Sequence, residues 1–488
     1  MDTQKQSVLI QPNLSIRETI EVINQGALGI ALIIDENRLL KGTATDGDIR
    51  RAILNGIDLD KPISTIMNTS PVTVPRGADI QEIRQLMLKS SLKQIPILDE
   101  EGRVLDIVLM SALLRIPLSH PDITYLETQA VLDVLSTPNL SLGPKVFEFE
   151  EKFSAYIGTK YAIAVNSGTS GLHLCIKSLG IGKGDEVITT PFSFIASANC
   201  LLFELATPVF VDIDPLTRNI DVSKIEAKIT SRTKAILPVH VFGQPCDMKP
   251  LMDLASRYNL TVIEDACEAI GAEYEGRKVG TYGACSVFSF YPNKQMTTAE
   301  GGIIVTDDLE IAQLCRSYRN QGRGEGTGWL KHERIGYNYR LSDLQCALGI
   351  VQLERIEGLL CKRESVADIY SRQLSHIKGI HVPLVAGNVK MSWFVYVIQI
   401  DPQIGGIRER DEIIADLQRQ GIACGNYFPP IHLQPFYQKQ FGYKEGDFRV
   451  AEDISRRTIA LPFFNDLKLE DISCVCDALS GCIKALSP

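Results

Sequence analysis

The stretch Ser-Val-Phe-Ser-Phe-Tyr-Pro-Asn-Lys-Gln-Met-Thr-Thr-Ala-Glu-Gly-Gly, residues 286–302, decides the fold. It runs from an apolar strand, through a turn carrying Lys294, to a Gly pair that permits close backbone approach. Upstream, residues 262–266 read Val-Ile-Glu-Asp-Ala and place a carboxylate, Asp265, at a second strand end. Each residue alone is ambiguous. A Lys after a strand also reads as a solvated surface residue, and an Asp at a strand end as a cap. Together they are the pair that pyridoxal phosphate (PLP) chemistry requires. The amine forms a Schiff base with the cofactor aldehyde. The carboxylate keeps the pyridine nitrogen protonated, so the ring can accept electrons from the substrate α-carbon.

Around this core the pattern alternates. Residues 161–165, 186–190, 208–212, 235–240, 261–264, 286–290 and 302–306 read as strands, with helices at 170–179 and 195–205. Alternating βα units predict an α/β fold with a largely parallel sheet covered by helices on both faces. Residues 342–374 read as one long helix. Residues 391–400 (strand), 408–420 and 451–459 (helices) then read as a smaller C-terminal α+β domain.

Residues 1–115 differ in kind, being an internal repeat with a period of 64 residues. Ile16-Arg17-Glu18 recurs as Ile80-Gln81-Glu82, and Asp35-Glu36 as Asp99-Glu100. Each copy reads helix, strand (29–34; 94–98), turn, strand, short helix. A unit of this size buries little apolar surface alone, so two copies should pack together. The repeat resembles a tandem CBS pair. By that resemblance Thr45 and Asp48, in Gly-Thr-Ala-Thr-Asp-Gly-Asp-Ile-Arg at 42–50, contact an adenine nucleotide. As residues alone they read equally as a helix cap. The second copy has Leu109-Met110-Ser111 at the matching place, without the Thr and Asp. Residues 115–126, with two prolines in a polar setting, read as a linker.

Composition bounds the rest. The 488 residues are 45% hydrophobic and 22% charged, which fits a soluble globular protein of two to four domains. A net charge of −9 argues against a general nucleic-acid binder, and no apolar run reaches membrane-spanning length. Residues 1–15 lack a basic segment followed by an apolar core, so no secretory signal is expected. None of the 12 cysteines precedes Cys175, and no pair of CxxC units offers a metal site. A cytoplasmic protein with reduced, mostly buried thiols and no metal is expected.

The strand-to-helix join Asn-Ser-Gly-Thr-Ser-Gly at 166–171 exposes backbone N–H groups at a helix N-terminus, a cradle for a phosphate. Thr-Pro-Phe-Ser-Phe at 190–194 offers an aromatic at a sheet edge. The glycine-rich stretch at 322–328 follows a helix rather than a strand and reads as a loop, not a dinucleotide fingerprint. With these stretches, and with Leu-Gly-Pro at 142–144, Val-His-Val-Phe-Gly at 239–243 and Gly-Tyr-Asn-Tyr-Arg-Leu-Ser at 336–342, residues 116–488 resemble the DegT-type nucleotide-sugar aminotransferases, PLP enzymes of fold type I.

The resemblance implies roles. Lys294 corresponds to the Schiff-base lysine and Asp265 to the partner of the pyridine nitrogen. Gly168, Thr169, Ser170 and Ser289 correspond to the phosphate cradle, and Phe194 to the aromatic stacked on the ring. Asn338, with Arg340, corresponds to the segment that reaches the phosphate of a neighbouring subunit, so a homodimer is expected. Glu268 stands where many members have Gln or His near the ring hydroxyl, to which an ionised Glu cannot donate. His432, in Phe-Pro-Pro-Ile-His, borders the substrate pocket or is structural.

The expected activity is transfer of an amino group, from glutamate by resemblance, to a nucleotide-linked keto-deoxysugar for polysaccharide or glycan synthesis. The rivals are a PLP-dependent sugar dehydratase, whose relatives replace the lysine by His, and a non-catalytic nucleotide sensor. The expected domains are 1–115 (tandem CBS), 116–365 (large PLP domain) and 366–488 (small domain).

Overall fold

Seven strands form the central sheet: β1 (Tyr161–Val165), β2 (Glu186–Thr189), β3 (Thr207–Phe210), β4 (Thr233–Ile236), β5 (Thr261–Asp265), β6 (Cys285–Ser289) and β7 (Gly302–Thr306). Their order is β1-β7-β6-β5-β4-β2-β3. Strands β3, β2, β4, β5 and β6 pair in parallel, and β7 runs antiparallel to both β6 and β1. This is a computed structural model, and it describes residues 3–90, 92–110, 116–324 and 331–486.

The strands are apolar on both sides because both faces are covered. Ile163, Val165, Ile263, Val287 and Ile304 pack on one face against Leu172 and Cys175 of α1 (Gly168–Ser178). Ala162, Ala164, Phe288, Ile303 and Val305 pack on the other, against Phe149 and Phe153 and against Ile350 and Leu353 of α3 (Asp343–Glu354). The helix α2 (Ala196–Leu202) follows β2. Parallel strands feeding helices place β1, β5 and β6 with their C-terminal ends along one edge, where loops can gather functional side chains.

Several elements depart from the sequence expectation. The predicted single helix over 342–374 is two, α3 and α4 (Ile356–Leu374), which meet at Arg355. There ψ opens to 0°, and the Arg355 guanidinium turns to Asp122 and Glu127. Asp122 also binds Lys362 at 2.8 Å, so the expected linker over 115–126 is clamped at that point and passes into a helix, Tyr125–Leu135. The predicted strand over 391–400 is confined to Tyr396–Ile400. The predicted helix over 451–459 runs instead over Arg449–Arg457. Its last two predicted residues join a strand, Thr458–Leu461, whose β-branched Thr458 and Ile459 pair with Gln399 and Ile398.

Glu127 ties these elements together. Its fully buried carboxylate accepts from Gln352 Nε2 at 2.8 Å, from Arg355 and from the Thr124 backbone N–H at 2.7 Å. Burial works against the charge, but the Thr124 hydroxyl, Arg355 and Gln352 overcome it and hold the group at about 2. A depressed carboxylate contributes stability above its ordinary value of 4.5 and loses it as pH falls through about 2. Glu127→Gln should therefore cost about 3 kcal/mol at neutral pH, as for one partner of a buried pair. In urea unfolding the gap to wild type should close across that acid range. A gap independent of pH would mean that the ion pair contributes nothing.

The chain divides into two compact units, residues 1–116 with 418–422, and residues 117–417 with 423–488. In the first, two three-stranded sheets repeat one topology, a parallel pair extended by an antiparallel one. The register shift between Ile33 and Ile34 recurs between Ile97 and Leu98, one 64-residue period later. The short helix expected to end the second copy comes after β-strand Val104–Leu109, where residues 111–115 lie outside the described residues.

Candidate active site

A cavity of about 650 Å³ opens at the C-terminal edge of β1, β5 and β6. Asp265, the last residue of β5, sits in its wall and is 4% exposed. Its Oδ2 accepts from the Ser197 hydroxyl at 2.7 Å, and its Oδ1 from the Cys267 N–H at 3.2 Å. Ser197 has spent its proton on Asp265, so the Ser193 hydroxyl at 2.8 Å donates to it in turn. This buried hydroxyl chain orients the carboxylate, and each bond polarises the next.

Lys294 lies on the turn after β6, where its N–H donates to Tyr291 O at 2.9 Å. Its Nζ is 3.5 Å from Glu268 Oε1 and 3.7 Å from the centroid of the Phe394 ring. Glu268 also accepts from the Phe242 N–H at 2.9 Å. Burial pushes its carboxyl above the ordinary range, opposed by Lys294 and that N–H. The shift favours the protonated form, which can donate a hydrogen bond as an ionised Glu cannot.

Ser167 caps α1. Its hydroxyl accepts from Ser170 N–H at 3.1 Å and lies 2.9 Å from the Ser170 hydroxyl. Ser167, Gly168, Thr169 and Ser289 line the cavity, whereas Ser170, bonded to the Ser167 hydroxyl, does not. Gly168 is held to glycine by space. An added Cβ would lie 2.8 Å from Cys267 Sγ and 3.0 Å from Ser289 Cβ. Phe194, 60% exposed, lines the same cavity.

The structure thus brings together Lys294, Asp265, Glu268, Gly168, Thr169, Ser289 and Phe194. It does not bring in the others. His432 is fully buried, with Nε2 3.0 Å from Glu452 and its ring edge against Phe448, and it does not line the cavity. Asn338 is exposed and pairs with Asn320, while the Arg340 guanidinium donates to Asn320 Oδ1 at 3.0 Å. Neither lines the cavity of its own chain. Thr45 and Asp48 form a capping box on helix Asp46–Leu54, with Asp48 Oδ2 accepting from Thr45 N–H at 2.9 Å and from its hydroxyl at 2.7 Å. Residues 325–328 of the glycine-rich stretch lie outside the described residues.

Sequence reading missed Ser193 and Ser197, although their i,i+4 spacing beside Phe194 was a usable signal. It also missed Phe394, Asn426 and Tyr427, which reach the cavity from more than a hundred residues downstream.

The residues present fit pyridoxal phosphate. The capped N-terminus of α1, with the Ser167, Thr169 and Ser289 hydroxyls, could hold a phosphate. Asp265 could face a ring nitrogen, Phe194 a ring plane and Lys294 an aldehyde. Asn293 Oδ1, buried and unpartnered, shows a polar group left unmatched by the protein itself. Among the described residues no cluster of metal-ligating side chains occurs, and no helix is long and apolar enough to cross a membrane.

Comparison with known proteins agrees with this geometry. Residues 121–480 match the DegT/DnrJ/EryC1/StrS aminotransferase family, and residues 3–55 and 63–119 match CBS domains. The chain is 41% identical over 372 residues to GDP-perosamine synthase of Caulobacter vibrioides, covering 76% of this chain and 99% of that protein. It is 40% identical over 378 residues to the spore coat polysaccharide biosynthesis protein SpsC of Bacillus subtilis, covering 76% and 97%. The crystal structure of DesV from S. venezuelae, in complex with a ketimine intermediate, superposes with a TM-score of 0.71 at 34% identity, covering 76% of this chain and 99% of that one. This chain belongs to the DegT/DnrJ/EryC1/StrS family of aminotransferases, as a PLP-dependent enzyme of fold type I preceded by a pair of CBS domains.

Proposed function

We propose that the enzyme transfers an amino group from glutamate to the ketone of a nucleotide-linked deoxysugar, supplying an amino sugar for polysaccharide or glycan assembly in the cytoplasm. The observation that carries this reading is the convergence of Lys294 and Asp265 on one cavity at the sheet edge. The relatives named for GDP-perosamine synthesis and spore coat polysaccharide support the sugar acceptor.

Pyridoxal phosphate, when bound, supplies an aldehyde for the donor amine and a ring that takes up the α-carbon electron pair. The protein directs that chemistry. The α1 N-terminus with Ser167, Thr169 and Ser289 would hold its phosphate, and Phe194 would lie against its ring. Asp265, oriented by Ser197, would keep a proton on its ring nitrogen. Lys294 Nζ, which reaches into the cavity, would be the base that takes the donor's α-carbon proton and the acid that gives it back. Glu268, whose carboxyl burial pushes upward, would stand beside the amine and the ring. The same groups act in reverse order on the sugar ketone, so the kinetics are ping-pong.

Asn338 and Arg340, outside their own chain's cavity, serve the cavity of a second copy, which makes the working unit a homodimer. The exposed Tyr125, Leu126 and Phe147 offer apolar surface for that contact. The CBS pair tunes turnover through an adenine nucleotide at Thr45 and Asp48. Turnover unmoved by AMP or ATP, with no binding detected, would remove that regulatory role.

The main test is spectroscopic. Glutamate should bleach the yellow band of the PLP-loaded enzyme and release one 2-oxoglutarate per site. A nucleotide-linked keto-deoxysugar should then restore the band. If no amino acid bleaches it, the aminotransferase reading of the site fails. If glutamate bleaches it but no keto-sugar restores it, only the acceptor is wrong.

A further inference from the structure

Arg363 on α4 is 2% exposed, and among the described residues no carboxylate lies within ion-pair distance of it. Its Nη2 donates to two consecutive main-chain carbonyls, Asn293 O at 3.1 Å and Lys294 O at 2.8 Å. Its Nε and Nη1 are buried without a hydrogen-bond partner, and the guanidinium lies 5.4 Å from the Phe463 ring centroid. Burial pulls it down to about 10, which leaves it charged at neutral pH. Burying a cation with two nitrogens unmatched is unfavourable. An apolar side chain of similar length would fill the space without that cost. What the guanidinium adds is the pair of bonds to the turn that carries Lys294.

The chain beyond Lys294 is also tied. Gln295 Nε2 donates to Glu268 O at 2.6 Å, to Ser392 O at 3.0 Å and to the Ser392 hydroxyl at 2.9 Å. The main chain is thus held before, at and after Lys294, and only its side chain reaches into the cavity. We propose that Arg363 is a positioning residue for Lys294, fixing through the Asn293 and Lys294 carbonyls the direction in which the amine enters the cavity. This rests on the reading of Lys294 as the reactive amine.

The test compares wild type with Arg363→Met and Arg363→Lys in two states. In the apoenzyme, amine-acylating reagent is titrated in and labelling is read by mass spectrometry at Lys294 against the exposed Lys234. Loosening the turn should free Lys294 from Phe394 and Glu268 and speed its labelling several-fold, with Lys234 unchanged. In the PLP-loaded enzyme, single-turnover bleaching by glutamate should slow by up to about 10²-fold in Arg363→Met, as for a misplacement of about 1 Å, while KM for glutamate stays unchanged. Arg363→Lys, with donors but no planar fork, should recover part of the loss. If Arg363→Met does not fold, Arg363→Gln, whose polar but shorter side chain stops two atoms short of the guanidinium nitrogens that bind the carbonyls, carries the same readouts. A folded Arg363→Met or Arg363→Gln protein with unchanged Lys294 labelling and bleaching within about twofold of wild type overturns the proposal. If the wild type forms no yellow band, the reading of Lys294 fails instead, and the apoenzyme labelling still decides whether Arg363 holds the turn.

Discussion

Lys294→Ala should abolish the yellow band formed with pyridoxal phosphate and lower turnover on the order of 10⁴-fold, the upper range for removing a general acid/base. Among the described residues no other lysine lines the cavity, so no neighbour can replace the amine. The loss should come from chemistry rather than folding. Nζ is held by one 3.5 Å contact to Glu268 and by the Phe394 ring face, and its removal leaves the strand and turn intact. Removing the ammonium also takes away the group that opposes burial at Glu268, so the variant should shift that carboxyl further toward its protonated form. Lys294→Arg is the control, since it keeps a cation beside Glu268 without supplying a nucleophilic amine. Absorption spectra with single-turnover kinetics check the result. A Lys294→Ala protein that keeps the band and bleaches at the wild-type rate would mean that the amine comes from elsewhere.

Asp265→Asn should lower kcat by about 10²–10³-fold while cofactor is retained. The substitution keeps the volume and leaves an oxygen to accept from Ser197 or Cys267, so the wall of the cavity survives. What disappears is the negative charge that holds a proton on the ring nitrogen, and with it the drive to draw electrons from the α-carbon. The defect should therefore appear in the rate of bleaching by glutamate more than in its KM. Ser197→Ala should give a smaller defect of the same kind, because it removes the hydroxyl that orients Oδ2 and leaves the charge in place. Near-normal bleaching in Asp265→Asn would show that the carboxylate is only a strand-end cap.

Much of the site was legible in one sequence because its parts are local. Asp265 ends β5, Lys294 follows β6, and Gly168 and Thr169 open α1, each within a few residues of an apolar strand. Short-range patterns of this kind carry backbone information: a glycine where a Cβ would strike Cys267, a Ser where a helix lacks a cap. His432 shows where such reading stops. Its motif left a pocket role and a structural role open, and the ring lies in the core between Glu452 and Phe448, a choice made by packing.

The βα order, the 64-residue repeat of the N-terminal unit and the residues at the strand ends are legible in the chain itself. These follow from periodicity and turn chemistry, which act over a few residues. The hydroxyl chain from Ser193 through Ser197 onto Asp265, and the place of Phe394 and Tyr427 in the cavity wall, come from the fold. The same holds for Arg355, which ends α3 by turning to Asp122 and Glu127, and for Arg363, which reaches the Lys294 turn. Each of these contacts joins residues far apart in the chain. Their strength depends on burial, which removes competing water and makes a hydrogen bond or ion pair decisive. Burial is a property of the folded whole, so no local pattern announces it.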